Sequence, residues 1–289
     1  MKRSRTRLSY ADRVLRVVQH LVRHPEQDPS LEQLAAIGLF SPFHFHRIYH
    51  AMTGETVKDT QRRLRLHQAA ISLLGSTDPI KTIAQRAGYG SQAAFTRAFA
   101  NAYGQAPARY RQRGQAPSLL PRFTPPEAMD MYEVRIENRP EITVIARTHH
   151  GAYHQIGQVF EHLQVWAAAR QLLRDSTRWF GMYPDDPSAK PEAELRSTAA
   201  FMTESVTRPG ETPLDDSVHW QVIAGGRYAV IEHVGPYAEL DRAYHWLFCS
   251  WLPQSGEEGR DGPCVEEYLN DVRTVPPHQL RTQIAVPLC

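Results

Sequence analysis

The chain has 289 residues and a net charge of +2, long enough for two domains with cores of their own. The small net charge hides a division: residues 1–120 carry 18 Lys+Arg against 7 Asp+Glu, whereas the remainder carries 15 against 24. A basic half suits nucleic acid, and the acidic half calls for another partner. Cys249, Cys264 and Cys289 are too few and too far apart for a disulfide framework or a paired-cysteine metal site, and no long apolar run or signal-peptide pattern occurs. These features point to a soluble, cytoplasmic protein with no membrane partner.

The first predicted helix runs from a cap at Ser9 to about His24, with Val14, Leu15, Val17, Val18, Leu21 and Val22 as its apolar stripe. Ser30 and Gln33 form a capping box for a second, short helix. A third opens at Ser41-Pro42, with proline where a missing N–H costs nothing. Its apolar face is Phe45, Ile48, Tyr49 and Met52, which leaves Phe43, His44, His46, Arg47 and His50 outward. Glu55 to Leu74 reads as a long helix with Val57, Leu64, Ile71 and Leu74 in phase, stopped by Gly75. Lys58, Arg62, Arg63 and Arg65 occupy its other faces, where a basic helix could run beside phosphates.

Fifty residues on, the pattern returns. Ser91, Phe95, Arg97, Phe99 and Gly104 answer Ser41, Phe45, Arg47, Tyr49 and Gly54, and Gly88 answers Gly38. Ile83 and Ala84 answer Leu34 and Ala35 with a slip of one residue, expected in or next to a turn. In this second copy Phe95 and Phe99 point in, while Gln92, Ala93, Thr96 and Arg97 point out. Outward Gln, Thr, His and Arg near a helix N-terminus are side chains able to bond base edges in a major groove. A solvated helix face explains either copy alone; two copies at one spacing in a basic half favour DNA. His46 and His50 lie four apart, as in helical metal pairs, but no nearby carboxylate or cysteine completes a site, so neither metal nor cofactor is expected.

Residues 9–113 resemble the DNA-binding domain of the AraC/XylS regulators, most specifically in Pro79-Ile80, Ile83-Ala84, Gly88-Tyr89, Ser91-Gln92, Phe95, Arg97, Phe99, Gly104, Pro107 and Tyr110-Arg111. The resemblance implies two helix-turn-helix units held by a central helix. It also implies base reading by Phe43, His46 and Arg47 from the first unit, and by Gln92, Ala93, Thr96 and Arg97 from the second.

Pro117, Pro121, Pro125 and Pro126 mark a semi-stiff connector over residues 115–129, between a domain at 1–114 and another at 130–289. The second domain repeats itself. Tyr183, Asp186, Pro191, Leu195 and Arg196 lie over Tyr268, Asp271, Pro276, Leu280 and Arg281 at an offset of 85 residues. Gly151, Tyr153, Phe160 and Leu163 lie over Gly235, Tyr237, Tyr244 and Leu247 at 84. Each copy reads strand, Gly-aromatic turn, helix, loop, strand, with Tyr132–Ile136 and Val218–Ile223 as an extra strand opening each. The expected fold is therefore multidomain: an all-α N-terminal domain with two helix-turn-helix units, then an α+β domain of two strand-helix-strand repeats about a pseudo-twofold axis, with a groove between them.

Glu266 breaks the second repeat, because its counterpart is Gly181; internal symmetry does not ask for a carboxylate there. Two residues from Tyr268 on one side of a strand, it suits a cationic or polar aromatic ligand, or equally a solvent-facing strand position. Residues 130–289 resemble the GyrI-like effector-binding domain in His233-Val234-Gly235-Pro236-Tyr237, Gly262-Pro263, Glu266 to Asp271, and Leu280-Arg281-Thr282. That resemblance implies a ligand groove with Glu266 on its floor. Tyr268, Tyr153, Tyr237, Trp220 and Trp251 are candidate walls.

The combined expectation is a sequence-specific transcription regulator, an activator by resemblance, that binds promoter DNA, a small cationic or aromatic effector and RNA polymerase. Two alternatives remain open at this stage: a hydrolase of small electrophilic compounds using Glu266 as base, and a protein-docking module.

Overall fold

The computed structural model describes residues 9–113, 132–187, 190–204 and 214–289; the predicted connector at 115–129 lies outside them. They form two compact units, one of residues 9–40 and 49–113 and the other of residues 41–48 and 132–289.

Among the described residues, 9–113 form seven helices: α1 (Tyr10–Arg23), α2 (Leu31–Gly38), α3 (Pro42–Thr53), α4 (Val57–Gly75), α5 (Ile80–Arg86), α6 (Gln92–Tyr103) and α7 (Pro107–Arg113). Their starts follow from their caps. Ser9 and Asp12 form a capping box at α1, Ser30 and Gln33 another at α2, and the Thr56 and Ser91 hydroxyls accept the amides of Asp59 and Ala94. The second helix-turn-helix packs Ile83, Ala84, Phe95 and Phe99 against Leu66, Ala69, Ala70 and Leu73 of α4, with Tyr110 of α7 closing the cluster. Each of these larger side chains contributes about 1.5–3 kcal/mol by leaving water.

The turns of the two copies correct the sequence alignment. Phe40 donates its amide to Ala35 at 2.8 Å, and Tyr89 donates to Ala84 at 3.0 Å. The left-handed residue before each is Leu39 (φ 57) in the first copy and Gly88 (φ +80) in the second. Leu39, not Gly38, is thus the counterpart of Gly88, and the extra residue is Gly90, just before the Ser91 cap. A side chain in this conformation costs about 1 kcal/mol, which the first turn bears and the second avoids.

Helix α4 also departs from the single apolar phase. Val57 and Leu64 are buried, but Ile71 and Leu74 are exposed, and Leu66, Ala69, Ala70 and Leu73 are buried instead. A helix packed along two stripes has no one apolar period to read. Its arginines are largely engaged: Arg63 makes a two-pronged bond to Glu55 (2.6 and 3.2 Å), Arg62 pairs with Asp59, and Arg65 bonds backbone carbonyls.

The second unit is built on one antiparallel sheet in the order β1-β6-β8-β7-β3-β4-β2-β5. Its strands are β1 (Arg135–Arg139), β2 (Ile142–His150), β3 (Arg178–Tyr183), β4 (Arg196–Met202), β5 (His219–Ile223), β6 (Gly226–Val234), β7 (Cys264–Tyr268) and β8 (Arg281–Pro287). The order is symmetric about the β7–β3 pair. In that pair Gly181 lies opposite Glu266, its own repeat counterpart, so the pseudo-twofold axis passes between these two residues. The opening strand of each copy is exchanged: β1 pairs with β6 of the second copy, and β5 with β2 of the first. The crossing connections touch at Gly225, where a Cβ would stand 2.7 Å from the Glu141 amide nitrogen.

On one face the curled sheet packs Val144, Phe180, Met182, Tyr228, Val230 and Val265 together. The other face carries α8 (Gly157–Ala169), whose Leu163 and Trp166 pack with Ile145, Tyr183 and Phe201. It also carries α9 (Leu240–Trp246), which continues through a π-helical turn (Leu247–Trp251) into α10 (Leu252–Ser255).

Candidate functional site

Helix α6 presents the expected polar face. Phe95 and Phe99 are fully buried, which turns Gln92, Ala93 and Arg97 outward as exposed residues, with Thr96 half-buried beside them. The Ser91 cap uses one amide of the first turn and leaves the positive end of the helix near these side chains.

Helix α3 differs. Phe45, Ile48 and Tyr49 are buried as expected, but the opposite side of its first two turns is covered too. His44 is 1 % and His46 6 % exposed, while Phe43 and Arg47 are half-buried. Residues 41–48 belong to the second compact unit, so the burial of His44 and His46 does not follow the apolar period of α3. Burial pushes the His44 imidazole down to about 4, so it is neutral at physiological pH.

The sheet unit contributes a carboxylate held by phenols. Glu266 is 4 % exposed on the helix-bearing face of β7. One carboxylate oxygen accepts the Tyr244 hydroxyl at 2.9 Å and the other accepts the Tyr268 hydroxyl at 2.9 Å. The Tyr183 hydroxyl lies 2.8 Å from that of Tyr268 and completes a chain of donors. Gly181 makes this possible: a Cβ there would stand 2.7 Å from the Tyr268 hydroxyl oxygen and 2.7 Å from the Tyr183 ring. A second ring of aromatics surrounds the first with the symmetry of the repeat. Tyr153 packs edge-on to Tyr183 at 5.0 Å, and Tyr237 edge-on to Tyr268 at 5.4 Å. Phe160 of α8 reaches Tyr268 at 5.3 Å. Burial pushes the Glu266 carboxyl up to about 7, even though the Tyr268 and Tyr244 donors favour its ionised form.

Of the expected wall residues, Tyr268 bonds Glu266 directly, and Tyr153 and Tyr237 stand one ring farther out. Trp220 is placed elsewhere: it lies on edge strand β5, four strands from β7 and thus roughly 19 Å of sheet away. There it packs against the cluster under α8. Trp251 lies in the π-helical turn beside Leu247, Phe248 and Leu252. Tyr183, Tyr244 and Phe160 were not singled out from the sequence as groove residues, although the repeat offsets already placed Tyr183 over Tyr268 and Phe160 over Tyr244.

Among the described residues no group of three or more His, Cys, Asp or Glu is placed to hold a metal ion, and no helix is long and apolar enough to cross a membrane.

Residues 132–288 match the GyrI-like small molecule binding domain family, and residues 11–113 match a helix-turn-helix domain family. The chain is 26% identical to the transcriptional regulator Rob of Salmonella typhimurium over 92% of this chain and 94% of that protein. It is 25% identical to the right origin-binding protein of Escherichia coli K12, again over 92% of this chain and 94% of the other. The DNA gyrase inhibitor of Yersinia enterocolitica is 34% identical over 48% of this chain and 86% of its own length. With the first family covering more than half of its length and the second covering α1 to α7, the chain belongs to the GyrI-like family and is an AraC-type DNA-binding transcription regulator carrying a GyrI-like small-molecule-binding domain.

Proposed function

We propose that this regulator reads promoter DNA with residues 1–114 and takes a cationic, aryl-bearing effector at Glu266 with residues 130–289, joined by the connector at 115–129. Gln92, Ala93, Thr96 and Arg97 read one major-groove segment, and Phe43, His46 and Arg47 read the next. The observation that carries the ligand reading is the buried carboxylate of Glu266 at the pseudo-twofold axis, held by two phenols and ringed by further tyrosines, a setting of carboxylate and aromatic rings that suits a cation. A cation stabilises the ionised carboxylate that burial disfavours, and it reaches Glu266 when one covering phenol swings aside. By family resemblance the protein works in the cytoplasm as an activator in contact with RNA polymerase.

Benzyltrimethylammonium and its neutral carbon analogue neopentylbenzene test the ligand class by calorimetry. Glu266→Gln is expected to weaken the cation about 30-fold, as loss of one partner of a buried charge pair does, and to leave the neutral compound nearly unchanged. Equal losses for both compounds, or no preference for the cation in the native protein, would refute the charge-pairing role.

A further inference from the structure

We infer that Arg65 of α4 is a positioning residue that fixes the spacing between the two helix-turn-helix units, and not a phosphate contact. This inference rests on the reading of DNA by both units. The Arg65 Nε donates to the Pro25 carbonyl at 2.8 Å, and one terminal nitrogen donates to the Gln27 carbonyl at 3.0 Å. Both carbonyls lie in the segment between α1 and α2, just past the C-terminal end of α1, where a cation is favoured by the helix dipole. The same nitrogen lies 3.7 Å from Asp28. The other terminal nitrogen lies against Gly88, 3.1 Å from where a Cβ would be. Gly88 is the left-handed residue of the second helix-turn-helix turn. One planar guanidinium therefore touches the approach to the first helix-turn-helix on one side and the turn of the second on the other.

Its charge is already used. The side chain is 21% exposed, in contrast to 64% for Arg62 on the same helix. A rigid planar fork bonds two carbonyls of one segment while its far edge abuts a second; a lysine ammonium has three donors at a single nitrogen and cannot span both sides. Gly88 then has two reasons to be glycine: its backbone conformation, and the room its missing side chain leaves for Arg65.

The test is selection from a random double-stranded DNA library by the full-length protein and by full-length Arg65→Met and Arg65→Lys, with sequencing of the retained fragments. The native protein is expected to retain a two-segment motif at one spacing, and a one-base-pair change of spacing should weaken binding roughly ten-fold. Arg65→Met should retain the same base preferences in each segment at two or more spacings, with that penalty reduced to under roughly three-fold. The salt dependence of binding should be unchanged, because no phosphate contact is lost. Arg65→Lys should fall between the two. A single unchanged spacing in a folded Arg65→Met protein overturns the inference. So does a uniform loss of affinity with a shallower salt dependence, the signature of a phosphate contact. Should Arg65→Met fail to fold, Arg65→Lys decides by the same criterion. A native protein that retains no two-segment motif refutes the underlying reading of DNA instead.

Discussion

Arg97→Ala is expected to weaken binding to a selected DNA fragment by about 1–3 kcal/mol, roughly 5- to 150-fold, and to abolish discrimination at one base pair of the site. Arg97 is exposed one turn into α6, on the side opposite Phe95 and Phe99, so its removal disturbs no core contact. Stability should therefore stay within about 0.5 kcal/mol of the native protein. The discriminating measurement is affinity for the selected fragment and for single-base variants at several salt concentrations. A base-reading arginine loses affinity for its preferred sequence and none for the variant base pair. A phosphate-bound arginine loses it equally on every sequence, and the salt slope falls by about one. The latter outcome would remove Arg97 from the readers.

Glu266→Gln is expected to change how stability depends on pH. The native carboxyl is pushed from 4.5 up to about 7, chiefly by burial. Between those values the unfolded chain has lost the proton and the folded chain keeps it, so folding binds protons and stability falls as pH rises. The loss is complete above pH 7 and amounts to about 3 kcal/mol. Glutamine does not titrate, so the variant gains on the native protein by about that amount between pH 4.5 and pH 8. The five tryptophans, Trp166, Trp179, Trp220, Trp246 and Trp251, all lie in the acidic half, so their fluorescence during urea unfolding reports on the right unit. A native–variant difference independent of pH would mean that Glu266 is ionised in the folded protein near its ordinary value, and the case for a carboxylate awaiting a cation would weaken.

What the sequence revealed depended on whether a feature is set by local chemistry or by packing. Caps at Ser9, Ser30 and Ser91 were legible because a hydroxyl satisfies amides three residues away. The first helix-turn-helix turn was misaligned because Leu39 takes a conformation that glycine ordinarily signals. The double repeat of the acidic half was legible down to the Gly181–Glu266 mismatch. The exchange of β1 and β5 between copies was not, since a strand that pairs across the molecule has the same alternation as one that pairs with its neighbour. Residue type alone offers Trp220 and Trp251 as walls, whereas Tyr183 and Tyr244, which bond Tyr268 and Glu266, are marked by their place in the repeat. The burial of His44 and His46 left no trace in a sequence whose apolar residues mark only Phe45, Ile48, Tyr49 and Met52 of α3.

An effector controls such a regulator only if occupancy of the Glu266 site changes the grip on DNA. The measurement that tests it most directly is the dissociation constant of the full-length protein for a selected DNA fragment, with and without benzyltrimethylammonium at concentrations that calorimetry shows to fill the site. A change of about 5- to 150-fold is expected in the native protein, the usual range for coupled sites, and none in Glu266→Gln. An unchanged constant in the native protein with the site filled would contradict it.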